Sequence, residues 1–183
     1  MPDSANPEIL SKEMIDFNNI DYLKNGNERQ KQAYDVLSGF RLFEKLKAWS
    51  PVLAGTIPIG IDIEESDLDV ICEVKDEMEF ERFLAGYFSE FNIKVESFEI
   101  NGEKAVVANF MLEGFIIEIF GQNKPVIEQN AYRHMMAEYR ILQEKGEGFR
   151  NEIIALKKQG FKTEPAFGIL LGLENPYKDL LKF

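Results

Sequence analysis

Gly55-Thr56-Ile57-Pro58-Ile59-Gly60-Ile61-Asp62-Ile63-Glu64-Glu65-Ser66-Asp67-Leu68-Asp69-Val70 is the stretch on which the fold turns. It follows a short apolar run, Val52-Leu53-Ala54, and leads into Leu68–Val74, whose alternation and β-branched residues predict a strand. Successive side chains on a strand point to opposite faces, so Asp67 and Asp69 share one face and Leu68 and Val70 take the other. Two residues span about 6.6 Å along a strand, close enough for both carboxylates to converge on one cation. Oxygen ligands at a strand start are a hard-metal arrangement, suited to Mg²⁺ and to the phosphates it carries. Gly55-Thr56, directly after the apolar run, offers backbone N–H groups and a hydroxyl that can cradle phosphate. Asp-x-Asp alone is equally the pattern of a solvated strand edge, because short motifs recur by chance.

Upstream, Asn27 is placed to cap a helix over Glu28–Trp49, where Ala33, Leu37, Phe40, Phe43 and Leu46 recur at three or four. Downstream, Asp76 caps a helix whose apolar face is Met78, Phe80, Phe83, Leu84, Tyr87 and Phe88. Ile93–Ile100 and Lys104–Leu112 read as a hairpin turned at Asn101-Gly102, and Phe115–Phe120 as a further strand closed by Gly121. After Pro125 the pattern is helical: Val126–Lys145, a break at Gly146 and Gly148, a second helix up to Gly160, a third capped by Thr163, and a last one from Asn175-Pro176. The expected architecture is α+β. A mixed β-sheet core with flanking helices (27–122) follows an N-terminal arm (1–26) and carries a small C-terminal helical module (123–183) packed on it.

The 183 residues hold 21 Lys and Arg against 32 Asp and Glu, a formal charge of −11 that repels phosphate backbones, so no polymer nucleic acid is expected as partner. The lone Cys72 excludes an internal disulfide and suits a reducing cytoplasm. No uncharged run is long enough to cross a bilayer and the first residues lack a signal-peptide pattern, so a cytoplasmic, membrane-free protein is expected.

The long stretch resembles the signature of the nucleotidyltransferase superfamily, whose members share a DNA polymerase β-like fold. Gly55-Thr56 supplies the Gly-Ser/Thr pair, Gly60 the turn glycine, and Ser66-Asp67-Leu68-Asp69-Val70 the paired aspartates between apolar residues. The superfamily adds a third carboxylate from a later strand, and Glu118 within Phe115-Ile116-Ile117-Glu118-Ile119-Phe120 is the candidate. Gly-Thr-Ile-Pro-Ile-Gly-Ile-Asp, Glu-Ile-Phe-Gly-Gln and Gln129-Asn130-Ala131-Tyr132-Arg133-His134-Met135 most resemble a bacterial family of unknown function within the superfamily.

The resemblance implies a metal-dependent transferase. Asp67, Asp69 and Glu118 would hold one or two Mg²⁺ ions. Gly55, Thr56 and Ser66 would position the phosphates of ATP or another nucleoside triphosphate, and AMP would move to a hydroxyl of a small molecule or protein. The basic residue often found after the Gly-Ser pair is replaced here by Ile57-Pro58-Ile59, so phosphate charge must be met elsewhere. Asn130, Arg133, His134 and Arg140 share a broad helix face, and Arg133 is the candidate phosphate ligand. His134, the only histidine, sits beside an apolar stripe, as a half-buried helix histidine would. A non-catalytic nucleotide-binding, regulatory or antitoxin-like module on the same fold is the alternative.

Overall fold

The computed structural model describes residues 15–100 and 102–183; the first 14 residues of the expected arm and Asn101 of the expected turn lie outside them. Phe17 and Leu23, before the first long helix, are buried in the core. Helix α1 (Glu28–Gly39) begins in a capping box in which the Asn27 side chain accepts from Gln30 N and Gln30 reaches back to Asn27 N. The expected single helix to Trp49 is broken instead. Arg41 takes a left-handed φ of 56°, and α2 (Leu42–Lys45) starts in a new direction. The break lets Phe40 and Leu46 reach the same core from two short segments.

Among the described residues, five strands form one mixed sheet in the order β1-β2-β5-β4-β3: β1 (Val52–Ala54), β2 (Leu68–Glu73), β3 (Lys94–Ile100), β4 (Glu103–Leu112) and β5 (Phe115–Gln122). Only β2 and β5 run parallel. That pairing is possible because α3 (Glu77–Tyr87) and the β3–β4 hairpin carry the chain across between them. Gly121 does not close β5 but lies within it, where a Cβ would strike Phe80 and Val74. Helix α3 therefore packs directly on that strand.

The sheet has two cores. Leu68, Val70, Cys72, Ile117 and Ile119 face α1 and α3, whereas Val52, Ala54 and Ile71 face the C-terminal helices. The longest of these, α4 (Asn130–Lys158), starts after the buried Gln129, later than the expected Val126, because 126–128 form a 3₁₀ turn. It changes course at Gly146 (φ 77°, ψ −170°), whereas Gly148 stays helical. In α5 (Thr163–Leu171) the residue before the helix is Lys162, so Thr163 is its first residue and not its cap. The short α6 (Pro176–Asp179) follows. No described helix is long and apolar enough to cross a membrane.

Candidate active site

The signature stretch wraps between β1 and β2 and is tied down from both sides. Gly55 (φ 81°) and Gly60 (φ 68°) make its sharp turns, with Gly60 N donating to Ile57 O and Ile61 N to Thr56 O. From α1, Gln30 Nε2 donates to Ile57 O at 2.7 Å and to Pro58 O at 3.3 Å, and Arg29 donates to Glu64 O. From the far half of α4, Arg150 donates to Ile59 O and Gly60 O, and the buried Lys157 donates to Ile61 O at 2.7 Å. Ser66 closes the loop on itself. Its Oγ accepts from Ile63 N at 3.0 Å and meets Thr56 Oγ1 at 3.2 Å, so the two hydroxyls join the halves of the signature.

This scaffold sets the acidic residues in the lining of a cleft of about 1040 Å³. Asp69 lies in register with Glu118 across the parallel β2–β5 pair and with Ala54 on β1. Asp67 stands two residues earlier, on the Asp69 face. A Cβ on Gly55 would land on Asp69 Oδ2, so the glycine is what allows the backbone against that carboxylate. Gly55, Thr56, Ser66, Asp67, Asp69 and Glu118 all line the cleft. The oxygens of Asp67, Asp69 and Glu118 do not all close to within 4.8 Å of one another. Burial pushes the Asp69 carboxyl up to about 8, with Asp67 and Glu118 adding to it and Lys157 opposing. Burial, then Asp67, raises Glu118 in the same direction. Three carboxylates sharing one cleft, beside an open backbone turn, fit a hard divalent cation.

Of the helix face singled out in the sequence, Asn130 and His134 line the cleft, while Arg133 and Arg140 are exposed and do not. The cations that do line it are Lys157 and Lys162, neither evident from the sequence. Lys157 is 6% exposed and faces Glu138, Asp62, Asp67 and Asp69; burial holds its amine down to about 8 against their opposing pull. Its one legible sign was position, since it falls four residues after the buried Ile153 on the helix's inward face. Glu138 and Glu164 also line the cleft, with no sign in the sequence that marks them as site residues. Cys72 is buried on the opposite side of the sheet, its thiol pushed up by burial.

Residues 35–183 match the model of a family described as a domain of unknown function, DUF4269. The chain belongs to that family. No curated protein matches this DUF4269 chain in sequence. Among solved structures it is similar to the polymerase core of TRAMP, an RNA surveillance complex, at 12% identity and a TM-score of 0.52, over 87% of this chain and 50% of that one. It is also similar to the Cid1 poly(U) polymerase bound to Mg 3′-dATP, at 12% identity and a TM-score of 0.51, over 75% and 45% of the two chains. The DUF4269 chain thus spans about half the length of these structures. Their fold, that of polymerase β-like nucleotidyltransferases, is the one seen here.

Proposed function

We propose that this DUF4269 protein is a metal-dependent nucleotidyltransferase that moves a nucleoside monophosphate, AMP from ATP, onto a hydroxyl of a small molecule or protein. The observation that carries the reading is the juxtaposition of Asp67, Asp69 and Glu118 with the Gly55–Ser66 loop in one cleft. Asp67, Asp69 and Glu118 would hold one or two Mg²⁺ ions, which supply charge neutralisation for the triphosphate and the departing pyrophosphate. Gly55 and Thr56 present backbone N–H groups and a hydroxyl to the phosphates, and Ser66 holds Thr56 in place. Lys162 lines the cleft and supplies positive charge missing from Ile57-Pro58-Ile59, while Lys157 offsets the carboxylates around it. An acceptor oxygen forms a bond to the α-phosphorus, the bond to the β-phosphate breaks with release of pyrophosphate, and Glu118 takes the hydroxyl proton.

Both similar structures named above are described as polymerases, one of them within an RNA surveillance complex. Glu65, Glu138 and Glu164 add further acid to the cleft and the chain carries −11, which favours a small or protein acceptor over a polynucleotide. The test is to incubate the full chain, Mg²⁺ and α-phosphate-labelled nucleotides with fractions of cell metabolites, proteins and RNA. Label should move to a non-RNA fraction with release of pyrophosphate, and Asp67→Asn should lose at least 100-fold in rate, or about 2.7 kcal/mol of barrier. Labelling by Asp67→Asn within about tenfold of wild type, roughly 1.4 kcal/mol, would contradict the proposal.

A further inference from the structure

On the helical wall of the same cleft, His134, Glu138 and Glu164 each bring one ligand atom to within 4.8 Å of the others. His134 and Glu138 are one turn apart on α4 and so lie on one face, and Glu164 enters from the first turn of α5. Two further features point to a ligand. Glu138 lines the cleft at 4% exposure, and no hydrogen bond among the described residues stabilises its carboxylate. Glu164, the neighbour with most effect on it, has the same charge. The opposing cation, Lys157, is committed to Ile61 O and also faces Asp62, Asp67 and Asp69. On the other ligand, His134 Nδ1 is buried with no hydrogen-bond partner among the described residues. A Glu138 side chain at 4% exposure without a hydrogen bond, beside an imidazole with one buried nitrogen unpartnered among the described residues, is costly, and one cation would meet the carboxylate and the ring.

We propose that His134, Glu138 and Glu164 form a second cation site, separate from the strand carboxylates, that takes a borderline dication such as Zn²⁺ in preference to Mg²⁺. Imidazole nitrogen is a ligand of zinc-like ions, whereas Mg²⁺ takes oxygen. Such an ion sits about 2.0–2.2 Å from nitrogen and carboxylate ligands, so small rotamer changes close the present spacing around it. Three protein ligands leave a position open to the cleft, and the ion clips α4 to α5.

Calorimetric titration of the chelator-treated full chain with Zn²⁺ alone, in the presence of about 1 mM Mg²⁺, tests this. One equivalent should bind with a dissociation constant in the micromolar range or tighter, and Asp69→Asn should bind it unchanged. His134→Ala and Glu164→Gln should each weaken binding at least tenfold. Glu164 is only half-buried, so Glu164→Gln keeps the test sound if His134→Ala misfolds, with circular dichroism as the check on folding. Absence of zinc binding by wild type, full affinity in Glu164→Gln, or loss of the site in Asp69→Asn would overturn the proposal.

Discussion

Gly55 holds a φ of 81° with its α-carbon against the Asp69 carboxylate, and the two constraints act together. Alanine there would bear about 1–2 kcal/mol of left-handed backbone strain and a collision with Asp69. Gly55→Ala should therefore lower the urea midpoint and abolish nucleotide binding; an unchanged midpoint would show that the turn has room. Asp69 gives a prediction with a sign. Its folded-state pKa is raised from 3.8 to about 8, so between those values the folded chain holds more protons than the unfolded one, and stability falls as pH rises through that window. Asp69→Asn removes this loss while Glu138, raised by burial in both proteins, cancels. In chelator, the variant should melt with wild type near pH 4 and progressively above it toward pH 8. A variant that melts lower at both ends would make Asp69 an architectural carboxylate. Asp67 and Asp69 were legible because motif and alternation coincide within a few residues. Lys157, Glu138 and Glu164 were not, because their significance arises only when α4 and α5 fold back across the strand ends, a contact with no local signal.

Helix α4 reaches the signature loop because it bends. Gly146 occupies a conformation (φ 77°, ψ −170°) that is essentially restricted to glycine, and beyond it Arg150 and Lys157 meet the carbonyls of Ile59, Gly60 and Ile61. Nothing lies within 4 Å of a Cβ built on Gly146, so any cost of a side chain there is backbone strain and not a clash. Gly146→Ala should destabilise the fold by about 1–3 kcal/mol in denaturant titration and weaken nucleotide binding along with it. An unchanged stability would mean that the bend is not required. The Gly146 break was readable in the sequence because glycine interrupts an otherwise regular apolar stripe. The Arg41 break was not, since arginine has no turn preference and the stripe from Ala33 to Leu46 runs through it without a gap. Gly121 misled in the opposite direction: a glycine that looks like a strand end is there for the close approach of Phe80 and Val74.

At the scale of the molecule, one sheet carries two jobs. Its α1/α3 side is apolar and packs beneath β2 and β5, whose parallel register puts Asp69 beside Glu118 in the cleft. The strands and the mixed sheet were legible from the signature and the hairpin, because each strand announces itself locally; the order in which they pair was not. The closing of the cleft by the C-terminal helices was not. An acidic chain with −11 net charge needs a cation to gather a triphosphate into a cleft lined by Asp67, Asp69 and Glu118, so nucleotide affinity should depend on that cation. Calorimetric titration with a non-hydrolysable ATP analogue, with and without Mg²⁺, for wild type and Asp69→Asn, tests this most directly and needs no knowledge of the acceptor. Wild type should bind one equivalent only when Mg²⁺ is present, and Asp69→Asn should lose at least tenfold in affinity, about 1.4 kcal/mol. Equal binding without Mg²⁺, or full affinity in Asp69→Asn, would contradict a metal-dependent transferase built on these carboxylates.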